Sequence, residues 1–306
     1  MSENTNLVSA GASIARRNKR YVVWFYLLNL ILAYFGATAF KHAAQGVLDH
    51  SLYADKLLHG FNLAVFIELL ARPEFGALPS SAAPAMMFAG VFFLASLLFM
   101  PGVFLGYASD HRLPRDEFYR ACGRNVWRFL RLFLFFAVIA GIIAGILFPA
   151  LNALVDAADK TSNERLPFFT QLFGTLIILL VLTVIRIWFD LAQAEVVLRD
   201  QYAVRKSIAA GFRKTRRNLG RLLCSYVVIA IAALGVLVAG ILLWYAIVPP
   251  SSVLGGFIVG QATLLLLLAA RFWQRATAVA FYVTNMAEPA VEPARPIPAF
   301  AVPVVS

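Results

Sequence analysis

Charged residues are scarce in this sequence. Asp, Glu, Lys and Arg make up 14% of its 306 residues, whereas about 25% is usual for a soluble globular domain. Hydrophobic residues reach 61%, and the mean hydropathy is +0.76. A chain with so little charge cannot cover a folded surface suited to water, so we expect most of its surface to face lipid.

Cysteine and the common catalytic motifs are nearly absent as well. The only cysteines, Cys122 and Cys224, form neither a disulfide framework nor a zinc-binding spacing. The sequences G-x-x-x-x-G-K-[ST], H-E-x-x-H and G-x-S-x-G do not occur. The sequence therefore indicates no catalytic residue, no cofactor and no metal ligand, and we predict that the protein is not an enzyme.

Long apolar runs, in contrast, are abundant. About 20 apolar residues cross the hydrocarbon core of a bilayer, and six segments reach that length. They predict an all-α, polytopic membrane protein with transmembrane helices at about 21–40, 85–108, 132–151, 167–190, 222–248 and 253–275. We assign residues 1–285 to one transmembrane domain and residues 286–306, which carry five prolines, to a flexible cytoplasmic tail.

Positive charge is distributed unevenly between the two sides of this predicted bundle. Four segments on one side hold 22 of the 27 Lys and Arg residues. Because basic loops stay in the cytoplasm, this side is the cytoplasmic one, and both termini lie there. The net charge of +11 is thereby explained by the membrane, without nucleic acid as a partner.

The stretch Arg199–Arg221 concentrates this charge in a helical pattern that is typical of a basic amphipathic helix in the membrane interface. A second basic segment, at 120–130, matches its end at an offset of 93 residues, with the pattern R-x-x-x-R-N-x-x-R-[FL]-L. We predict that arginines of both copies contact anionic head groups. They are Arg120, Arg124, Arg128, Arg213, Arg217 and Arg221.

A further echo, at an offset of 85 residues, links Arg186-x-Trp188 to Arg271-x-Trp273. Together with a weak N-terminal echo at Arg16 and Arg20, these matches predict three units, each a basic interfacial helix followed by a two-span hairpin. Internal repeats occur in transporters, and they also arise by duplication without transport.

A group of charged residues near the cytoplasmic ends of spans four and six forms a candidate polar site. Its members are Arg186, Asp190, Glu195, Arg271 and Arg275. Charges this deep usually face the protein interior or a cavity, which favours a polar site at the inner mouth of the bundle. The alternative is an intrahelical Arg186–Asp190 pair, with arginines that reach to the interface.

Two stretches, RIWFDLAQAEVVLRDQYAVRKSIAAGFRKTRRNLGRLL and EFYRACGRNVWRFLRL, resemble poorly characterised bacterial six-span proteins. The layout is similar to that of the membrane domain joined to some glycerophosphodiester phosphodiesterases. The phosphodiesterase catalytic domain is missing, so the resemblance implies no activity. It implies a protein of the bacterial cytoplasmic (inner) membrane.

These features leave three functional hypotheses. The first is a non-enzymatic membrane protein that engages anionic lipid, a membrane-protein partner or a second copy of itself. The second is a transporter of a small or lipid-like substrate, and the third is an intramembrane enzyme. A water-filled cavity that reaches the bilayer midplane would favour transport, whereas a solid apolar core would favour the first hypothesis.

Overall fold

The computed structural model describes residues 6–38, 78–109, 111–161, 165–249 and 252–286, and the single positions 41, 42, 45, 64 and 67. Within these ranges the regular structure is entirely α-helical, which confirms the predicted all-α class for the described part of the chain. The helices are α1 (Leu7–Arg17), α2 (Lys19–Gly36), α3 (Leu78–Ala108), α4 (Arg115–Asp159), α5 (Leu166–Leu198), α6 (Val204–Arg217), α7 (Leu219–Ile247) and α8 (Val253–Met286). The predicted tail, apart from Met286, lies outside the described residues.

Five of the described helices, α3, α4, α5, α7 and α8, are long and apolar enough to cross a membrane. Helix α2, which corresponds to the predicted span at 21–40, is not among them. It has 18 residues and begins with Lys19 and Arg20. A helix of that length is about 27 Å long, slightly less than the hydrocarbon core of about 30 Å.

Several helices run past the predicted span boundaries. Helix α4 is continuous over 45 residues, so the predicted basic segment and the third span form one helix about 68 Å long. Helices α5 and α8, of 33 and 34 residues, continue well beyond 190 and 275. Because these helices exceed the bilayer thickness, one end of the bundle projects beyond the hydrocarbon layer. We call it the basic end, since it carries α1, residues 115–131 of α4, and α6.

The bundle is organised around three helices. Helices α3, α5 and α8 contact one another, and each has an outer partner that precedes it in the chain. Helix α2 packs on α3, α4 packs on α5, and α7 packs on α8. These are three sequential hairpins, as the alternation of spans predicts.

The amphipathic helices α1 and α6 pack on the basic ends of α8 and α5 through matching contacts. The indole Nε1 of Trp188 donates to the Ile208 carbonyl at 2.7 Å, and that of Trp273 donates to the Val8 carbonyl at 2.8 Å. One turn along, Gly211 lies directly against Ala192 and Gly11 lies against Thr277. The absence of a side chain at each glycine lets the two helices come this close.

The basic segment of α4 packs on α3 in a related way, but the glycine and the bulky residue belong to the opposite helices. Here the glycine, Gly102, belongs to the spanning helix, and the ring of Phe118 in α4 fills the space above it. The Cys122 thiol donates to the Phe99 carbonyl at 3.8 Å. Each of the three basic segments therefore lies against the end of a central helix.

The buried core lies at this basic end. Val103, Phe104, Ile187, Leu191 and Phe281 are all fully buried there. Along the apolar windows of the five candidate spans, by contrast, at most 28% of the residues are buried. The spans thus leave most of their apolar surface to lipid, and the helices are held together mainly where they leave the hydrocarbon layer.

We predict that Gly211→Ala destabilises the protein. The added Cβ would lie 2.9 Å from the Trp188 carbonyl oxygen and 3.0 Å from the Ala192 nitrogen, both of which are backbone atoms. Overpacking of this kind costs about 1–3 kcal/mol. The measurement is thermal unfolding in detergent. Gly123→Ala is the matched control, because nothing lies within 4 Å of its Cβ position, and equal melting temperatures for both variants would refute this packing.

The orientation is tested by cysteine labelling in a Cys122→Ala, Cys224→Ala background. Ser162→Cys, in a predicted outer loop, should react with an impermeant thiol reagent in intact cells. Ser13→Cys, exposed on α1, should react only after the cells are opened, because the basic segments stay inside. Labelling of Ser13→Cys in intact cells would reverse the assignment.

Candidate functional site

Asp190 is the buried carboxylate of the predicted polar site. It is 6% exposed, and its Oδ2 accepts a hydrogen bond from the Tyr226 hydroxyl of α7 at 2.8 Å. The predicted partner, Arg186, places its Nε 3.9 Å from the same oxygen, at the outer limit of an ion pair. Tyr226 is therefore the closer partner, and the sequence reasoning missed it, although a tyrosine near the start of an apolar run was a possible signal.

Two arginines of α8 join this carboxylate. Arg275 lies close enough to interact electrostatically with Asp190, Arg186 and Arg271, and Arg271 interacts in the same way with Arg186. The structure thus brings together four of the five predicted residues. The cluster contains three guanidinium groups and one carboxylate, so its net charge is positive.

These four residues, Arg186, Asp190, Arg271 and Arg275, are called the arginine cluster. One buried donor in the cluster and one beside it have no hydrogen-bond partner among the described residues. Among the described residues, the buried Nε of Arg275 makes no hydrogen bond, and neither does the hydroxyl of Tyr107, a residue of α3 that is 1% exposed. Tyr107 also interacts electrostatically with Arg275. Buried polar groups are normally paired, so these two donors are exceptions.

Glu195, the fifth predicted residue, belongs to a separate cluster. This buried carboxylate forms an ion pair with Lys214 of α6 and accepts a hydrogen bond from the Tyr282 hydroxyl of α8 at 2.8 Å. Glu195 therefore links α5, α6 and α8, and its carboxylate is bonded to groups of the protein itself.

The six arginines predicted to contact lipid fall into two groups. Five are exposed at the basic end: Arg120, Arg124, Arg213, Arg217 and Arg221. The sixth, Arg128, has a side chain only 8% exposed, and its Nη1 lies 2.7 Å from Oδ1 of Asp200. Its guanidinium also stacks 3.9 Å from the Tyr202 ring. Arg128 is thus held inside the protein, where it ties α4 to the loop between α5 and α6.

Asp200, the ion-pair partner of Arg128, has an unusual backbone conformation. Its φ of 50° lies in the left-handed region, which aspartate tolerates better than most residues. The hydrogen bond from Arg128 lowers the pKa of its carboxyl group, with Arg124 as a further positive neighbour at 3.5 Å. The loop is therefore fixed by charge at neutral pH.

An asparagine follows an arginine at the end of all three basic segments. The side-chain Nδ2 groups of Asn18, Asn125 and Asn218 donate to the carbonyl four residues earlier, at 3.2, 3.0 and 3.2 Å. Residues 10–18 and 210–218 share the pattern A-G-x-x-x-x-R-R-N, a stronger N-terminal match than the one at Arg16 and Arg20. That shared pattern is the sequence signal by which the N-terminal helix could have been paired with α6.

An apolar groove of about 470 Å³ lies between α2 and α7, with α1 and α8 completing its walls. Six alanines line it, and we call it the alanine groove: Ala12, Ala15, Ala232, Ala233, Ala269 and Ala270. Larger apolar residues such as Val22 and Leu265 complete the lining, and within the described ranges Arg16 and Lys19 are its only charged residues. The groove depends on how four helices pack, so no local sequence pattern predicts it.

We expect Asp190→Asn to lower the melting temperature strongly. The change removes the carboxylate that pairs with Arg186 and interacts with Arg275, and stranding a charge in this way costs about 3–5 kcal/mol. Thermal unfolding in detergent measures the effect. Asp156→Asn, at an exposed position of α4, should stay within about 0.5 kcal/mol of the unmodified protein. If both variants melt alike, the cluster does not stabilise the bundle.

Comparison with models of protein families, with curated proteins and with solved structures finds no match to this chain. The fold alone does not determine a function, so the functional argument rests on the chemistry of these residues.

Proposed function

We propose that this chain is a non-enzymatic, six-span integral membrane protein that binds anionic phospholipid at its cytoplasmic face. Helix α2 is the sixth span, the membrane is the bacterial inner membrane, and both termini lie in the cytoplasm. The observation that carries the proposal is the alanine groove, with Arg16 and Lys19 at one end of it.

The groove has the chemistry of a lipid site. Its volume of about 470 Å³ falls within the roughly 300–1,000 Å³ of typical ligand pockets. It lies between two helices, α2 and α7, that expose large apolar residues such as Trp24 and Ile241. An acyl chain that leaves the bilayer would therefore lie against apolar walls.

The charges at the groove match an anionic head group. Arg16 and Lys19 are exposed, and no acidic residue lines the groove among the residues that the structure describes. Both belong to the basic end, where lipid phosphates of the cytoplasmic leaflet lie. A basic residue near such a surface contributes about 1 kcal/mol to binding.

The remaining exposed arginines extend this basic surface around the bundle. Arg120 and Arg124 lie on α4, Arg213 and Arg217 lie on α6, and Arg221 follows at the start of α7. On α4 and α6 the small or apolar faces pack on α3 and α5, and the arginines lie at exposed positions. This surface attracts anionic lipid broadly, whereas the groove selects one molecule.

We interpret the three basic helices and their hairpins as three related units. The paired tryptophan, glycine and asparagine contacts support this interpretation, as does the contact of α1 with α8, which joins the first unit to the last. Such a duplication does not require transport.

Transport of a small or lipid-like substrate is a second candidate. It is favoured by the charged groups Arg186, Asp190, Arg271 and Arg275, which lie within or beside spanning helices. The fully buried residues Val103 and Phe104 count against it, because they belong to a solid core at the end through which a substrate would leave.

The lipid proposal is tested by the amount of anionic phospholipid that co-purifies with the protein. Arg16→Gln with Lys19→Gln removes two charges, each worth about 1 kcal/mol, so the affinity should fall about 30-fold. Ala233→Phe with Ala269→Phe should fill the groove and displace the acyl chain. Lipid is quantified by mass spectrometry in monodisperse, correctly inserted protein.

The matched control is Arg205→Gln with Lys206→Gln, which makes the same charge change at two exposed positions of α6. It should keep most of the bound lipid. Equal losses in this control and in the groove variants would show general surface attraction without a groove site. Undiminished lipid in the folded groove variants would refute the proposal.

A further inference from the structure

We propose that the arginine cluster is a second binding site, selective for a phosphate or phosphomonoester group held by Arg186, Arg271 and Arg275. The site is separate from the alanine groove, which lies against other residues of α8. Its ligand is therefore independent of the lipid that we place in the groove.

The charge balance of the cluster calls for an anion. The cluster holds three guanidinium groups and one carboxylate, so Asp190 can compensate only one of its three positive charges. Positive charge without a partner is costly at membrane depth. A phosphomonoester carries about −1.5 to −2 charges at neutral pH and would balance the cluster.

The geometry also leaves donors for such a group. The buried Nε of Arg275 and the Tyr107 hydroxyl lack partners among the described residues. Arg271 is exposed, and the Arg186 side chain is one-third exposed, so a ligand can reach both. Guanidinium groups present paired N–H donors that suit the oxygens of a phosphate.

Asp190 fixes the arrangement of the cluster. The Tyr226 hydroxyl holds its Oδ2 at 2.8 Å, and the same oxygen faces Arg186. The carboxylate therefore keeps part of the guanidinium charge in place when the site is empty. It also limits the net charge, which favours a doubly charged phosphate over a larger polyanion.

The depth of the site suits approach from the basic end. At 1.5 Å per residue, Arg271 lies about 27 Å along α8 from Val253, and Asp190 lies about 36 Å along α5 from Leu166. With a hydrocarbon core of about 30 Å, these residues straddle its boundary. Both a soluble phosphate and the phosphate of a lipid head group can reach that level.

The experiment measures thermal stability of the full chain in phosphate-free detergent while inorganic phosphate is added at constant ionic strength. Phosphate should raise the melting temperature saturably. Arg271→Gln removes an exposed donor without opening the core, and it should weaken the response at least about tenfold, the effect of losing one hydrogen bond to a charged group. Arg205→Gln, exposed on α6, is the control and should respond like the unmodified protein.

A second arm distinguishes the source of the phosphate group. The protein is placed in nanodiscs of neutral lipid, with phosphatidic acid (a monoester) or phosphatidylglycerol (a diester) added. Stabilisation by phosphatidic acid beyond phosphatidylglycerol, lost in Arg271→Gln, assigns the site to a lipid monoester. Stabilisation by inorganic phosphate in neutral nanodiscs assigns it to a soluble ligand.

Two results would overturn the site: no stabilisation of the unmodified protein by any of these phosphates, or an undiminished response in Arg271→Gln. The groove variant Arg16→Gln with Lys19→Gln should keep the phosphate response, because neither residue belongs to the cluster. Failure of the groove proposal and failure of this one are therefore separate outcomes.

Discussion

The close approach of each basic segment to the end of a central helix is the contact on which the rest of the structure depends. At Gly11 and Gly211 the missing side chain lets α1 and α6 lie directly on α8 and α5, and at Gly102 the same space accepts Phe118. Lipid provides no hydrophobic force between helices, so packing of small residues has to hold them together. These contacts occupy the helix faces that carry small residues, so most arginines of the basic segments lie on the exposed faces. The solid core forms at the same level of the bundle.

Arginines have three different environments in this molecule, and the difference lies in their acidic neighbours. Arg213 and Arg217 face the surroundings. Arg128 occupies the equivalent of Arg221 in the other basic segment, yet the loop at Asp200 reaches it and draws it inside. Arg275 interacts electrostatically with the carboxylate of Asp190, which also pairs with Arg186. Sequence spacing fixes the face of the helix on which an arginine lies, and the partner helix decides its role.

Much of the fold could be predicted from the sequence because lipid imposes a simple rule on it: backbone groups must be satisfied within each helix, so length and apolarity mark the spans. The proximity of Arg186, Asp190, Arg271 and Arg275 could also be predicted, because all four lie near the same ends of spans four and six. Sequence could not predict the hydrogen bond from Tyr226, the alanine groove or the separate position of Glu195, since each depends on the rotation and tilt of helices distant in the chain. The single helix from Arg115 to Asp159 was missed because a basic segment and an apolar run look like two elements.

That long helix joins the basic segment of α4 to its span in a different way from the links between α1 and α2 and between α6 and α7. Helices α1 and α2 meet at a joint at Asn18, and α6 and α7 meet at one at Asn218, where the backbone departs from helical geometry. At the corresponding Asn125 the backbone stays helical, so the basic segment of α4 runs into its span without such a break. The direction of this basic segment therefore follows that of its span. A change in the tilt of that span would move Arg120 and Arg124 with it.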